Sequence, residues 1–291
     1  NYILIMKIID CTTFFQEKLM MEVRFNILDP YVDKFIVCEA SFTHSGNKKS
    51  INFDPNDYPD FKKKITHIVL EKEPDDIKKI QNERLKSVKR IEYQRNYLIN
   101  GLKDCSKDDL IIYSDNDEIP NLNNLDKNKI KNKIILFEQD LFYYKFNLFL
   151  KDHIWYGSKA CRLKDLINID WLRMIKNKKY EFFRLDTIFS KNKYQNISII
   201  KNGGWHFSNL KSLKDLMIKY QNDENYSEFV QKGYDKKYIE QLINKKAIGH
   251  NHKADKKSEE KFSEISLEKY NLEKLPLYLQ ANAEKYASWF D

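Results

Sequence analysis

Glycine and proline are scarce in this chain, with 7 and 6 among 291 residues. So few glycines leave no Gly-rich loop of the kind that cradles phosphates with backbone N–H groups. There is no Pro/Gly-rich linker and no internal repeat, which argues for one continuous domain. The four cysteines, Cys11, Cys38, Cys105 and Cys161, show no Cys-x-x-Cys spacing. That leaves out the common zinc and dithiol motifs and favours reduced thiols, as in a cytoplasmic protein. No apolar run is long enough to span a bilayer, and no signal peptide is visible. The chain does not start with Met, and Met6 follows a few residues in. A trimmed N-terminal anchor is compatible with that, so the expectation is a cytoplasmic protein with room for membrane association. No Arg-rich or basic-aromatic block stands out, so nucleic acid is not an expected partner.

What is present is a globular composition with 18 Tyr, 18 Phe and a net charge of +8. The positive balance suits an anionic ligand or peripheral contact with an acidic membrane surface. Its lysines, however, are spread along the chain as on any solvated surface.

Taken in order, Ile3–Ile9 reads as a strand and Glu17–Leu28 as a helix with Leu19, Met20, Val23 and Ile27 on one face. Lys34–Cys38 is a second strand, closing at Glu39, and Ile65–Leu70 a third. Asp75 to Leu102 predicts a long charged helix broken near Ser87, carrying Arg95 and Asn96 in its last part. Lys133–Glu138 and Leu141–Leu150 read as further strands, Lys164–Lys176 as a helix, and Ile197–Ile200 as a strand. From Ser212, a plausible N-cap, the remainder reads as helices, the last opened by Pro276. Strands alternating with helices in the first half predict an α/β fold with a parallel sheet.

The chemistry concentrates at Asp109–Pro120, Asp-Leu-Ile-Ile-Tyr-Ser-Asp-Asn-Asp-Glu-Ile-Pro. Leu110–Tyr113 is a buried-type strand. Beyond it, alternation points Asp115 and Asp117 the same way. Open α/β sheets bind ligands at such carboxyl ends. Adjacent like charges are unfavourable unless a cation sits between them. Carboxylate oxygens without thiols suit Mg²⁺ or Mn²⁺, which keep their other positions for water and phosphate oxygens. A metal-bridged nucleoside diphosphate at this strand end is the leading reading, although Asp-x-Asp alone is a short and common motif. A second constellation is Gly203-Gly204-Trp205-His206-Phe207. Its paired glycines permit close backbone approach to a ligand, and His206 could offer an imidazole to the metal. A histidine among aromatics is, by base expectation, a core residue.

Several segments together resemble glycosyltransferase family 17, the family of the bisecting N-acetylglucosaminyltransferase. They are Ile9-Asp-Cys-Thr-Thr-Phe-Phe15, Glu22-Val-Arg-Phe25, Val32 to Thr43, Asp115-Asn116-Asp117-Glu118-Ile119-Pro120 and Gly204-Trp-His-Phe-Ser208, occurring in family order. The resemblance implies a GT-A-type, Rossmann-like mixed sheet flanked by helices, with a helical C-terminal part. In that scheme residues 1–120 hold the nucleotide, 121–210 the acceptor and metal, and 211–291 form the helical part. It also implies an inverting transfer from a UDP-sugar, with N-acetylglucosamine the expected sugar, to a carbohydrate or other hydroxyl acceptor. Such a transfer needs a cation on the leaving diphosphate and a carboxylate base at the acceptor hydroxyl. Asp115, Asp117 and His206 are the metal candidates. Glu39, Arg95, Asn96, Asp115, Asn116 and Asp117 are the candidates for nucleotide contacts. Asp186 is the first candidate base, since it precedes the His206 strand, with Glu138 and Asp140 as rivals. Two other readings compete. A nucleotidyltransferase or sugar-phosphate enzyme would also use paired carboxylates. An inactive carbohydrate-binding module would stack sugars on Trp155, Trp171 and Trp205.

Overall fold

The computed structural model describes residues 6–126, 130, 133–178, 180–181, 183–187, 189–194, 196–222, 233, 235–252, 254 and 259–291. In chain order its strands and helices begin with β1 (Ile8–Phe14), α1 (Lys18–Leu28), β2 (Lys34–Ala40), β3 (Ile65–Leu70), α2 (Glu83–Tyr97), β4 (Leu110–Tyr113) and β5 (Glu118–Pro120). Then come β6 (Ile134–Phe137), β7 (Gln139–Tyr143), β8 (Leu148–Trp155), β9 (Lys159–Arg162), α3 (Ile169–Met174), β10 (Ile197–Ile200) and β11 (Gly204–Ser208). The C-terminal stretch holds α4 (Leu213–Gln221), α5 (Lys236–Asn244), β12 (Ala247–Ile248), β13 (Ile265–Ser266), β14 (Glu268–Lys269) and α6 (Leu277–Ala281). The protein is a mixed α/β fold with sheets flanked by helices. Among the described residues, no helix is long and apolar enough to cross a membrane.

Two compact units emerge, one of residues 1–139 with 156–204 and the other of 140–155 with 205–291. These boundaries differ from a division at 120 and 210, because the chain enters the second unit early, at β7 and β8, and returns.

The first unit is built on a sheet of order β10-β6-β9-β4-β1-β2-β3. All neighbours are parallel except β9, which runs against both β4 and β6. Alternation on β1 sends Ile9 and Cys11 to one face, where they pack with Ile36, Leu98, Ile111, Trp171 and Leu172 under α2 and α3. Ile8 and Asp10 face the other way, toward α1. There Phe25 sits edge-on to Phe35 and Tyr58 at 4.8 and 5.0 Å between ring centroids. The order 3-2-1-4 reverses direction between β1 and β4, and a crevice opens at the carboxyl ends of strands at such a switch point.

That switch point is fastened from inside. Arg24, on the apolar stripe of α1, is fully buried. Its guanidinium donates to both carboxylate oxygens of Asp10, at 2.8 and 2.6 Å, and to Ser114 Oγ at 2.8 Å. Nη1 donates to the carbonyls of Glu118 at 2.7 Å and Asp115 at 3.3 Å. One cation thus holds β1, α1 and the loop after β4 together.

The second unit carries β14, β8, β7 and β11 side by side, with β7 and β11 parallel. Ser212 caps α4, its Oγ accepting from Asp215 N at 3.2 Å, as its sequence predicts. Three differences from the sequence expectation have local causes. The break in 75–102 falls before α2 rather than at Ser87, because Asn82 takes the N-cap and accepts from Leu85 N. The aromatic run 141–150 is two strands, because Tyr144 turns with φ 64°. The tail after 212 is not all helix, since β12 pairs β13 and β14 pairs β8.

Arg24→Met would leave the Asp10 carboxylate buried without its cation. Breaking a buried pair from one side costs about 3–5 kcal/mol. We expect a loss of that order in the denaturant-unfolding free energy, and a change within experimental error would contradict the pinning role.

Candidate active site

The candidate site lies at the carboxyl edge of the first unit's sheet, where β4 ends in Ser114-Asp115-Asn116-Asp117. Arg24 holds the backbone of this loop from beneath. Asn116 Nδ2 donates to Glu17 Oε2 at 2.7 Å, which links the loops after β4 and β1 across the switch point. Asn116 is thereby a loop tie, which differs from the nucleotide contact expected of it.

Asp115 is surrounded by donors. Its Oδ1 accepts from Tyr113 OH at 2.7 Å and Arg95 Nη2 at 3.5 Å, and its Oδ2 from Arg173 Nη2 at 2.8 Å. Arg173 also forks onto both oxygens of buried Glu118, at 2.9 and 3.0 Å, and donates to Gly157 O at 2.7 Å. Burial works against the Arg173 charge, but Asp115 and Glu118 overcome it and hold its pKa above the ordinary arginine value. The same balance applies to Arg95, where burial is outweighed by Tyr113, Asp115 and Asp170. Burial, with Asp115 adding to it, keeps the Tyr113 phenol protonated well above its usual range. The expected pair of carboxylates awaiting a cation is therefore corrected in part: arginines already supply the counter-charge at Asp115. Asp117, like Asp115, is half-buried.

These donors decide what metal chemistry the edge admits. Among the described residues, no group of three or more His, Cys, Asp or Glu is gathered to hold an ion unaided. A hard divalent ion needs only one or two carboxylates when diphosphate oxygens and water complete its shell. Two carboxylates at one strand end, Asp115 and Asp117, fit that mode in number and chemistry, although Asp115 already accepts from Arg173 at 2.8 Å.

The other sequence candidates separate. Glu39, fully buried, accepts from Lys49 Nζ and from the backbone N–H groups of Asn52 and Phe53. It fastens the 49–53 loop, a structural use of its charge instead of the expected nucleotide contact. Asn96 Oδ1 accepts from Asp170 N at 2.9 Å and so positions α3. Arg95 completes the same tie through Asp170 Oδ1 at 3.0 Å. Asp186 is at a solvent-facing turn, bonded to Arg184 and Lys193, which lower its carboxyl pKa to about 2. So acidic and so engaged a group is a poor base, which corrects the order of the candidates. Glu138 follows β6 on the same edge as Asp115. Tyr113 of β4 and Leu136 of β6 both pair with Lys159 of β9. Asp115 and Glu138 each lie two residues further on, just past the carboxyl ends of two strands that flank β9. Glu138 Oε1 accepts from Tyr156 OH at 2.9 Å.

Asp140 and His206 belong to the second unit. Tyr270 OH donates to Asp140 Oδ2 at 2.5 Å. His206, on β11, is nearly buried and packs on Trp155 at 5.0 Å between ring centroids. It is part of an aromatic cluster that continues through His252, His153 and His250. Burial first, and the neighbouring histidines after it, lower the His252 pKa to about 3. Trp171 and Trp205 are buried, with their indole N–H groups donating to Lys191 O and Lys274 O. They cannot act as exposed sugar-stacking faces.

The Gly203–Gly204 pair approaches backbone where a ligand was expected. A Cβ on Gly204, whose φ is +137°, would strike Ile119 O, and one on Gly203 would strike Ile200 O and Glu138. Residues that sequence reasoning gave no role are Arg24, Arg173, Lys159 and Gly157. A Cβ on Gly157 would run into the Glu118 carboxyl. Asp10 inside an apolar strand and Arg24 on an apolar helix face were the legible signals of a buried pair. Arg173 gave none.

An open sheet whose order reverses beside a carboxylate-bearing strand end places this chain among α/β proteins that bind ligands at a switch point. Residues 3–289 match the family model described as Glycosyltransferase family 17, and the chain belongs to that family. It is a glycosyltransferase, acting between a sugar donor and an acceptor. No curated protein matches it in sequence. Among solved structures, HddC from Yersinia pseudotuberculosis is similar at TM-score 0.34 and 9% identity, covering 68% of this chain and 92% of that one. The inositol-1-phosphate CTP transferase from T. maritima is similar at TM-score 0.33 and 10% identity, covering 74% and 96%. Overlap at that level carries no functional argument.

Lys159 supports the clamp from behind. Buried in β9, its Nζ donates to Arg173 O at 2.5 Å and Ile175 O at 2.7 Å, at the end of α3. Burial, reinforced by Arg173, lowers its pKa from 10.5 to about 7. The unfolded chain therefore binds this proton between about pH 7 and 10.5 while the folded protein does not. In that window, stability rises with pH. Thermal melts across it should show the wild type gaining on Lys159→Met as pH increases; a constant difference between the two would refute the assignment.

Proposed function

We propose that this glycosyltransferase is an inverting enzyme that uses a UDP-sugar, with N-acetylglucosamine the sugar favoured by the family resemblance. Mn²⁺ or Mg²⁺ would be held from Asp117. The observation that carries the reading is the Arg24-pinned acidic loop at the switch-point edge of the first unit's sheet. A divalent ion, when bound, neutralises charge on the leaving diphosphate. The chain's own residues do the rest. Arg95 and Arg173 hold Asp115 in one orientation at the edge where the nucleotide would lie. Their charge offsets phosphate at the same edge. Preorganised charge of this kind costs no rearrangement during reaction.

The base must stand away from the leaving group, because inversion requires attack from the opposite side. Glu138 meets that condition within the first unit: it shares the sheet edge of Asp115 but follows a strand two places away. Tyr156 orients its carboxyl through one hydrogen bond and leaves the other oxygen to take a proton. Glu138 thus replaces Asp186 as the preferred base.

If Asp117 holds the ion, UDP should bind more tightly with Mn²⁺ than in EDTA, and Asp117→Asn should abolish most of that difference. Isothermal titration decides it, and equal UDP affinity with and without metal in the wild type would defeat the metal assignment.

Glu138→Gln keeps the shape and removes basicity. Loss of a general base costs about 10²–10⁴-fold in rate. Transfer should fall by that order with UDP affinity unchanged; normal transfer by the variant would remove Glu138 from the mechanism.

A further inference from the structure

The segment after α3 forms a surface loop closed at its base. Lys176 N donates to Asn192 O at 2.8 Å, and Trp171 Nε1 donates to Lys191 O at 2.6 Å. Compact loops with tied ends are frequent carriers of function. At its outer part Phe183, Leu185 and Phe189 are 67%, 71% and 88% exposed. Cations gather in the same segment: Lys178 Nζ, Arg184 Cζ and Lys193 Nζ lie 5.2, 5.3 and 5.7 Å from the centroid of the Tyr180 ring. Between 176 and 193 Lys or Arg occupies six positions against Glu181 and Asp186. Asp186 pairs with Arg184 and Lys193, which leaves a surplus of positive charge.

We propose that this loop docks the enzyme on an anionic lipid bilayer surface. The apolar tips would enter the boundary between headgroups and acyl chains, and the cations would face the lipid phosphates. Single exposed apolar residues need no explanation. Three large ones within seven residues of one tied segment, interspersed with lysine and arginine, have the composition that partitions into bilayer interfaces. Long cationic side chains can keep their heads at the phosphates while their stems lie along apolar surface. A protein partner fits less well, because lysine is depleted at the cores of protein–protein interfaces. The net charge of +8 acts in the same direction as the loop, and juxtaposed basic residues strengthen attraction to anionic lipid additively. The inference is independent of the donor and metal assignments.

The test is co-sedimentation of the full chain with vesicles of phosphatidylglycerol and phosphatidylcholine in equal parts, against phosphatidylcholine alone. The expected result is partition about tenfold stronger on the anionic vesicles, weakened by salt. Leu185→Ser with Phe189→Ser should lower it about tenfold while the melting temperature holds. Absence of partition, equal partition on both vesicles, or full partition by the double variant would overturn the proposal. Phe189→Trp gives a second reading: its emission should shift to the blue and be quenched by brominated lipid on anionic vesicles, and unchanged emission there would also overturn it.

Discussion

The ion pair between Arg24 and Asp10 is the constraint on which the first unit depends. Neither side chain touches water, so each charge must be answered inside the fold. A guanidinium cannot shed its proton to escape burial. Its fork therefore has to find acceptors, and it finds the Asp10 carboxylate on one side and Ser114 and the loop carbonyls on the other. The acidic loop after β4 has its course because those carbonyls are the acceptors within reach. Folding of the sheet and shaping of the loop are in this way one event.

Above that pin, the edge is electrostatically balanced rather than simply acidic. Arg95 and Arg173 answer Asp115, Asp170 and Glu118, and Tyr113 adds a neutral donor. Asp115 and Glu118 are thereby held in position by side chains of the chain itself. Helix α3 belongs to this arrangement although it is short. Asn96 and Arg95 hold its start through Asp170, and Lys159 holds its end. Arg173 therefore reaches Asp115 from a helix fixed at both ends.

Two of the scarce glycines stand where no side chain has room. Gly157 passes the Glu118 carboxyl, and Gly204 passes the backbone of β5 with positive φ. Both positions shape the site from within the protein, through close packing of chain on chain. In the second unit the same economy falls to aromatics. Phe142, Phe146 and Phe207 pack at 5.1 Å between centroids around the buried end of β11.

The sequence by itself determined the elements that local patterning controls. β3, β4 and β10 fall where short apolar β-branched runs lie between polar breaks, and Ser212 caps the helix its spacing announces. It also determined that Asp115 and Asp117 follow the end of a buried strand, because an apolar run between polar breaks is a local property; that the sheet is mixed there, with β9 antiparallel to β4, it did not. What it could not determine were relations between residues far apart in the chain. The strand order that brings β9 between β4 and β6 sets Glu138 on the same sheet edge as Asp115. The fold of the 173 region delivers an arginine to a carboxylate 58 positions earlier. In sequence Asp186 and Glu39 were candidates beside Asp115, since each is an acidic residue near a strand. Only tertiary structure separated them, because a carboxylate's chemistry is set by which charges and donors surround it, and those neighbours come from other parts of the chain.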